Sequence, residues 1–285
     1  MEPNYLGDIL KEAKQALRIS GISSWSIDAE IIMGYITDLR KEQLITHDKQ
    51  ALSTKDIAGF KTAIGKRLNL MPVQYIINKA EFMGLDFYVD GHVLIPRPDT
   101  EILVEAVIEY IKESKAQRVL DICTGSGAIA IALAKYCPEI KEIVASDISK
   151  KALAVAYVNA VDNGVGDKIR FEESDFLENI TGKFDVIVSN PPYIREADID
   201  ELEVNVKAYE PLIALAGGSD GLFFYKKLAE ECEDYLNESG RIFLEIGYDQ
   251  AEAVTGIFSK NGFKSFSLLK DLAGLDRTLI FGKNI

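Results

Sequence analysis

The sequence predicts an α/β fold in which a helical bundle precedes a seven-stranded, mostly parallel sheet. From residue 100 onward, strand-like apolar runs alternate with helical stretches, a pattern typical of a parallel sheet with helices on both faces. The last two strand-like runs are joined only by residues 271–276. Because this link is too short for a helical crossover, the two strands should pair antiparallel. The first 70 residues show helical periodicity instead.

Apolar residues of the N-terminal segment recur at the three-four spacing of helix faces. The three predicted faces consist of Leu6, Ile9, Leu10, Ala13 and Leu17, then Ile27, Ile31, Ile32 and Tyr35, then Ile57, Phe60, Ile64 and Leu68. Gly21 should end the first helix, and the second should begin after Ser26. Ser53 and Asp56 predict a capping box at the start of the third. These features indicate a helical domain over residues 1–72, which we expect to recognise a substrate protein.

Residues 73–98 are predicted to form a β-hairpin linker, followed by the sheet-containing domain at residues 99–285. In the linker, residues 81–89 are strand-like, Asp90-Gly91 is a common hairpin turn, and residues 93–95 form the return strand. The strands expected in the sheet are 118–122, 142–146, 168–172, 184–189, 240–246, 263–269 and 277–282, and the helices are 100–113, 127–136, 150–163, 220–237 and 249–260.

The composition excludes several classes of protein. Of 285 residues, 47% are hydrophobic, which is enough for a globular core without disulfide staples. The three cysteines form no C-x-x-C pair and the two histidines are isolated, so we expect no metal site. The longest apolar run, residues 128–134, is too short to cross a membrane, and the N-terminus lacks the features of a signal peptide. We therefore expect a cytoplasmic protein with no membrane partner. Separately, we expect a monomer.

The charge argues against direct binding of nucleic acid. The chain carries 32 basic and 45 acidic residues, a net charge of −13, whereas phosphate binding requires a basic face. The imbalance is concentrated in residues 86–285, because residues 1–85 hold 11 basic and 10 acidic side chains.

A glycine-rich turn follows the first strand of the alternating region. Gly125 and Gly127 open the helix after strand 118–122, and Asp147 ends the second strand about twenty residues later. Glycines allow close approach to the backbone, the helix N-terminus offers free N–H groups, and Asp147 can accept hydrogen bonds from ribose hydroxyls. This pattern predicts a nucleotide site, but it also fits a dinucleotide-binding fingerprint, with Ala130 in the last position.

Polar groups around this turn favour a nucleoside that carries an amino-acid end. Asp121 and Thr124 flank the turn where such an end would be held. After the third strand, Asp175 can accept from an adenine amino group and Phe176 can lie on the base. The carboxyl ends of parallel strands are where ligands bind in such sheets.

The most specific motif is Asn190-Pro191-Pro192-Tyr193, which ends a buried strand. The two prolines stiffen the backbone and remove two N–H donors, which leaves the Asn190 amide oxygen and the Pro191 carbonyl as acceptors. This pair suits a planar NH₂ group, and the Tyr193 ring offers a flat surface for an amide or a base.

These motifs resemble those of S-adenosylmethionine-dependent methyltransferases that modify NH₂ nitrogens, and most closely the peptide chain release factor glutamine methyltransferases, the PrmC/HemK family. The resemblance covers essentially the whole chain. Its further motifs are Pro72-Val73-Gln74-Tyr75-Ile76, Glu81-Phe82-Met83-Gly84-Leu85, Ile95-Pro96-Arg97-Pro98-Asp99-Thr100-Glu101, Glu210-Pro211-Leu212-Ile213-Ala214-Leu215, Gly217-Gly218-Ser219-Asp220-Gly221-Leu222 and Glu245-Ile246-Gly247. One departure is Cys123, which stands where the family often has glycine.

The resemblance implies a Rossmann-like class I methyltransferase domain and a reaction in translation termination. S-adenosylmethionine would methylate the side-chain amide of the glutamine in the Gly-Gly-Gln motif of class-I release factors, leaving S-adenosylhomocysteine. The implied catalytic residues are Asn190, Pro191 and Tyr193, and the implied substrate-binding residues are Asn190, Pro191, Pro192 and Tyr193. The implied cofactor-binding residues are Cys123, Thr124, Gly125, Ser126, Gly127, Asp147, Asp175, Phe176 and Asn190.

Three alternatives remain open from the sequence. A DNA or RNA adenine methyltransferase would share the Asn-Pro-Pro-Tyr motif, but the acidic sheet domain argues against it. A methyltransferase for a glutamine of a ribosomal protein would differ chiefly in the N-terminal region. A nucleotide-binding oxidoreductase or an inactive adaptor is disfavoured by the intact Asn190 and the complete glycine motif.

Overall fold

A computed structural model describes residues 4–284, which divide into two compact units. Unit 1 contains the described residues up to Asn78 together with residues 203–209, and unit 2 contains residues 79–202 and 210–284. The partition crosses the predicted hairpin linker at residue 78. No helix in the described part of the chain is long and apolar enough to span a membrane.

Helices and strands are numbered here along the chain. The α-helices are α1 (Leu6–Ile19), α2 (Trp25–Thr37), α3 (Lys41–Thr46), α4 (Thr54–Leu68), α5 (Val73–Ile77), α6 (Asp99–Ser114), α7 (Ala128–Tyr136), α8 (Lys150–Asp162), α9 (Val204–Tyr209), α10 (Phe223–Glu231) and α11 (Ala251–Lys260). The strands are β1 (Ala80–Phe82), β2 (Leu85–Phe87), β3 (Arg118–Ile122), β4 (Glu142–Asp147), β5 (Ile169–Glu173), β6 (Phe184–Ser189), β7 (Leu236–Glu245), β8 (Phe263–Lys270) and β9 (Asp276–Lys283). Short 3₁₀ helices lie at Gly166–Lys168, Glu196–Glu201, Leu212–Ala214 and Cys232–Tyr235.

Unit 1 is a helical bundle, and the predicted face of α1 is confirmed. The buried residues of α1 are Leu6, Ile9, Leu10, Ala13 and Leu17. They share one apolar core with buried residues of α2 and α4. Helix α9 belongs to this unit although it lies far along the chain, and the Tyr209 hydroxyl donates to the Asn69 carbonyl at 2.7 Å.

The predicted buried face of α2 is wrong except at Ile32. The helix begins at Trp25 and buries Asp28, Ala29, Ile32 and Met33, whereas Ile27, Ile31 and Tyr35 are 58%, 42% and 55% exposed. The reason is a buried polar pair that apolar periodicity cannot reveal. The Asp28 carboxylate accepts from the Arg67 guanidinium at 2.7 Å and from the Ser24 hydroxyl at 2.6 Å, which turns this side of the helix inward.

The capping box predicted at the start of α4 is half formed. The Ser53 hydroxyl oxygen accepts from the Asp56 N–H at 3.1 Å. The Asp56 carboxylate accepts from the Ser53 hydroxyl at 2.6 Å rather than from the Ser53 backbone N–H. A capping box uses Glu or Gln at this position, and the aspartate side chain is one methylene shorter.

The linker contains a hairpin, but it is not the predicted one, because both of its strands lie within residues 80–87. Strands β1 and β2 pair antiparallel around Met83-Gly84, where φ is +51° and +68°, as a two-residue hairpin turn of mirror-image type requires. Asp90 instead forms a local turn in which its carboxylate accepts from the His92 N–H at 2.9 Å, and residues 93–95 form no strand. Each strand of the observed hairpin has only three residues, which is too short to show a clear alternating pattern beside the turn in the sequence.

Unit 2 contains the predicted seven-stranded sheet, in the order β5-β4-β3-β6-β7-β9-β8. Neighbours from β5 to β7 are parallel, and β9 pairs antiparallel with both β7 and β8, so the predicted topology is confirmed. The helix expected at 220–237 ends at Glu231, and β7 begins earlier than expected, at Leu236. The strand order reverses between β3 and β6, and ligands bind at such a reversal, outside the carboxyl ends of the strands.

Candidate active site

A cavity of about 330 Å³ lies at the carboxyl ends of β3, β4 and β6 in unit 2. It brings together most of the residues selected from the sequence. The predicted residues that line it are Cys123, Thr124, Gly125, Ser126, Asp147, Asp175, Phe176, Asn190 and Pro192. Gly127, Pro191 and Tyr193 are not among its lining residues.

The loop from β3 to α7 has a backbone that favours glycine at three positions. Cys123, Gly125 and Gly127 have φ of +60°, +55° and +80°, in the left-handed region. At Gly127 a side chain is disfavoured further, because a Cβ would come within 2.9 Å of Ile131 Cδ1 and 3.1 Å of the Ala156 Cβ. Cys123 adopts this conformation despite its side chain. Burial raises the pKa of its thiol, with Asp147 adding to the effect, so the thiol is neutral.

Asp147 is the acidic side chain that both contacts this loop and lines the cavity. Its two carboxylate oxygens accept one backbone N–H each, from Gly125 at 2.9 Å and from Ser149 at 2.9 Å. Burial raises its pKa, although these hydrogen bonds oppose the rise. Each oxygen of the carboxylate retains acceptor capacity for a ligand.

Asp121 holds the loop from behind and does not line the cavity. One of its oxygens accepts from the Thr124 hydroxyl at 2.6 Å and from the Ala130 N–H at 3.2 Å. The other oxygen has no hydrogen-bond partner among residues 4–284. Burial raises the pKa of Asp121 to about 7. Because Asp121 does not line the cavity, it can act on a ligand only through Thr124, whose hydroxyl it binds.

Phe176 lies in an aromatic cluster that the sequence analysis missed. Its φ is +52°, a strained value for a bulky residue. Its ring stacks on Phe224 at 4.9 Å between centroids, and the Lys227 ammonium lies 4.2 Å from its centroid and 3.6 Å from the Asp175 carboxylate. The Phe223-Phe224 pair that opens α10 was the available signal for this cluster.

Asn190 directly follows β6 and is held by a side chain that sequence reasoning missed. Its Nδ2 donates to the Thr100 hydroxyl oxygen at 3.1 Å, and the Thr100 hydroxyl donates to Glu245 at 2.6 Å. Burial raises the pKa of Glu245 to about 7, against the effect of Thr100. Thr100 and Glu245 lie within motifs noted for their resemblance, but nothing local in the sequence shows that they meet.

Tyr193 is directed away from the cavity. Its ring packs against the core of unit 2, and its hydroxyl lies 3.4 Å from Glu245 Oε1. Burial raises the pKa of its phenol, with Glu245 adding to the effect. The catalytic roles predicted for Pro191 and Tyr193 remain predictions, and the flat surface expected of Tyr193 is not part of the cavity wall.

Another charged side chain from the Ile-Pro-Arg-Pro-Asp-Thr-Glu motif lines the cavity. Arg97 donates to the buried Glu210 carboxylate at 2.5 Å. Burial raises the pKa of Glu210, while Arg97 opposes the rise. In residues 4–284, no group of three or more His, Cys, Asp or Glu side chains is arranged to hold a metal ion.

Comparison with known proteins identifies the family. The family model of the PrmC N-terminal domain matches residues 8–77, and that of the methyltransferase small domain matches residues 98–218. A curated protein of Clostridium acetobutylicum named release factor glutamine methyltransferase is 42% identical over 276 residues, 96% of each chain. The chain belongs to the release factor glutamine methyltransferase family. A protein of the same name from Thermodesulfovibrio yellowstonii is 42% identical over 90% of this chain and 92% of its own.

Solved structures agree with this fold. A methyltransferase from Pyrococcus furiosus superposes with a TM-score of 0.54 at 21% identity, over 79% of this chain and 98% of its own. A ribosomal protein L11 methylase from Lactobacillus delbrueckii gives a TM-score of 0.51 at 24% identity, over 66% of this chain and 81% of its own. The class I methyltransferase fold and the family expected from the motifs are therefore confirmed, and this family member is an enzyme that transfers methyl groups.

Proposed function

We propose that the protein methylates the side-chain amide nitrogen of the glutamine in the Gly-Gly-Gln motif of class-I release factors, with S-adenosylmethionine as methyl donor. The observation that carries the proposal is the placement of Asn190 in one cavity with the glycine-rich loop and Asp147. An acceptor for an NH₂ group thus lies beside a nucleoside-binding loop. The names of the relatives support the release-factor substrate, and we propose a role in translation termination on the basis of that substrate.

The residues of the cavity fit S-adenosylmethionine. The remaining acceptor capacity of the Asp147 carboxylate suits two adjacent ribose hydroxyls. Ile148 and Phe176 give the cavity apolar wall for an adenine ring, and Asp175 gives an acceptor for its amino group. The loop at 123–127 would hold the methionine portion. When bound, the cofactor would supply a methyl group from its sulfonium to the substrate nitrogen, and its sulfur would keep the electron pair of the broken C–S bond as a neutral thioether.

The chain's own contribution is alignment of the amide nitrogen. An amide nitrogen is a weak nucleophile because its lone pair is delocalised into the carbonyl. The Asn190 Oδ1, on the cavity wall, would accept one N–H of the glutamine, and the Pro191 carbonyl would accept the other, which would favour a pyramidal nitrogen. The nitrogen loses one proton to solvent after the transfer, so no strong base is needed beforehand. Positioning and preorganised acceptors supply the rate enhancement.

Unit 1 contributes recognition of the release factor in this proposal. The exposed apolar side chains of α2, Ile27, Ile31 and Tyr35, follow one another at helical spacing. Such a stripe suits a protein partner, and the net charge of −13 disfavours nucleic acid. Because release factors act on ribosomes, the site of action proposed is the cytoplasm, with the enzyme as a monomer.

Mass spectrometry of a class-I release factor tests the substrate. After incubation with the enzyme and S-adenosylmethionine, the peptide containing Gly-Gly-Gln should gain the mass of one methyl group. A release factor with glutamate in place of that glutamine lacks the amide and should stay unmodified. Methylation at another residue, or none, would contradict the proposed function.

Single-turnover kinetics test the role of Asn190. With saturating S-adenosylmethionine, Asn190→Ala should slow methylation by about 10²–10³-fold, as expected when one preorganised polar contact to a transition state is lost. Asn190→Asp retains an acceptor and should be impaired less. Asn261→Ala, which removes a side chain at the C-terminus of α11, is the matched control. A near-normal rate for Asn190→Ala would show that the Asn-Pro-Pro-Tyr motif has a structural role and does not hold the substrate.

A further inference from the structure

We infer that Glu245 and Thr100 are positioning residues that determine which way the Asn190 carboxamide faces. The inference rests on the proposed transfer to an amide nitrogen and deepens it. Three elements that are distant in sequence contribute one side chain each: Glu245 ends β7, Thr100 lies in the first turn of α6, and Asn190 follows β6.

The hydrogen bonds between these side chains have one consistent polarity. Above its pKa of about 7, Glu245 is ionised and can only accept hydrogen bonds. The single hydroxyl hydrogen of Thr100 is directed to Glu245 Oε2 at 2.6 Å, so the Thr100 oxygen has only lone pairs left for Asn190. Asn190 must therefore present its NH₂ group, and Nδ2 lies 3.1 Å from the Thr100 oxygen. In residues 4–284, no group donates to Asn190 Oδ1, and Asn190 lines the cavity.

The opposite orientation of the carboxamide would fail at both ends. Oδ1 would then face the lone pairs of the Thr100 oxygen, and the Asn190 NH₂ would face the NH₂ of the substrate glutamine. Oxygen and nitrogen of a carboxamide are nearly equal in shape, so packing alone does not distinguish the two orientations. The relay from Glu245 through Thr100 supplies the chemical difference.

Glu245 also holds the other polar end of the Asn-Pro-Pro-Tyr motif. The Tyr193 hydroxyl lies 3.4 Å from Oε1, the oxygen that Thr100 does not use. The Tyr225 hydroxyl donates to the Glu245 carbonyl at 2.8 Å and fixes the backbone at the end of β7. The buried Glu245 carboxylate thus contacts Tyr193 directly and Asn190 through Thr100. Tyr193 therefore has a positioning role from within the core.

Two substitutions at Thr100 separate positioning from packing. Thr100→Val preserves the shape and removes the acceptor for Asn190, whereas Thr100→Ser preserves the hydroxyl. We expect Thr100→Val to slow single-turnover methylation by about 10²-fold while the Kd for S-adenosylmethionine changes less than about threefold. Thr100→Ser should recover at least tenfold of that loss. Ser114→Ala, which removes an exposed hydroxyl from the last turn of the same helix, is the control at the wild-type rate.

A readout that needs no substrate keeps this inference separate from the proposed function. The Asn190 side-chain NH₂ signal in a ¹⁵N NMR spectrum, assigned by its loss in Asn190→Ala, should be shifted and protected from exchange in the wild type and in Thr100→Ser. Thr100→Val should lose both properties. If Thr100→Val does not fold, Thr100→Ala removes the same hydroxyl without adding a buried methyl group and repeats the test.

The outcomes distinguish the two claims. Methylation at the wild-type rate by folded Thr100→Val, or an unchanged Asn190 signal, would overturn the relay and leave the proposed function intact. If the wild type modifies no release factor while the Asn190 signal responds to Thr100 as described, the substrate assignment fails and the orientation of Asn190 stands.

Discussion

Replacing Glu245 with glutamine should remove a pH-dependent loss of stability from unit 2. Burial raises the pKa of this carboxyl from its ordinary 4.5 to about 7. The Thr100 hydroxyl, Arg277 and the Tyr193 hydroxyl lower it, and Asp99 adds to the rise. The folded protein therefore binds the Glu245 proton more tightly than the unfolded chain does. Its contribution to stability is full below about pH 4.5 and is lost as the pH rises through about 7. Glutamine has a similar shape and no such proton.

The size of the effect follows from the two pKa values of Glu245. A difference of one pH unit between folded and unfolded states corresponds to about 1.4 kcal/mol. A rise from 4.5 to about 7 corresponds to about 3 kcal/mol by this measure, most of it between pH 5 and pH 8. A free-energy change of this size shifts the equilibrium constant between the closed and open states by about 10²-fold.

Hydrogen exchange at the backbone amides of β6 and β7 is the suitable assay. Trp25 is the single tryptophan of the chain and lies in unit 1. Its fluorescence therefore reports on unit 1 and not on unit 2, which contains Glu245. Comparing the same amide at the same pH in the two proteins cancels its intrinsic exchange rate. From pH 5 to pH 8, exchange of the wild type relative to Glu245→Gln should rise by about 10²-fold.

A surface carboxyl provides the control for this comparison. Glu105 is exposed on α6, and the ratio for Glu105→Gln should change less than about threefold over the same pH range. A constant ratio for Glu245→Gln would refute the reasoning, because Glu245 would then ionise as readily in the folded protein as in the unfolded chain.

Three further predictions concern the cofactor site, the glycine loop and unit 1. Asp147→Asn should weaken binding of S-adenosylhomocysteine by about 10- to 100-fold in calorimetry, because hydrogen bonds to a charged group are lost; unchanged affinity would remove Asp147 from the site. Gly127→Ala should lower the free energy of unfolding by about 1–3 kcal/mol in urea titrations, since φ is +80° and a Cβ would lie 3.1 Å from that of Ala156; a neutral result would mean that the loop relaxes freely. Ile27→Asp should raise the KM for intact release factor several-fold while leaving cofactor affinity unchanged, whereas Ile45→Asp, which changes another exposed residue of unit 1, should raise it less; equal effects would argue against recognition by α2.

Local pattern predicted unit 2 well and unit 1 only in part. Strands 118–122 and 184–189 begin and end where expected, because parallel strands buried on both faces are continuous apolar runs. Helix α2 is different, since Asp28 is buried against Arg67, 39 positions later. Apolar periodicity does not identify a paired carboxylate as a core residue. The face predicted for α2 is therefore rotated toward solvent relative to the observed buried face.

The sequence by itself determined the alternating α/β order, the antiparallel last pair of strands, the glycine loop and the Asn-Pro-Pro-Tyr motif. Each of these depends on residues adjacent in the chain, where spacing and backbone preference act directly. Only the tertiary structure decided that Thr100 meets Glu245 across 145 positions, that Asn190 contacts Thr100 across 90, and that Tyr193 is directed into the core. Such contacts form where α6, β6 and β7 pack together, and the physical reason they cannot be read locally is that burial and hydrogen-bond partners are properties of the packed sheet.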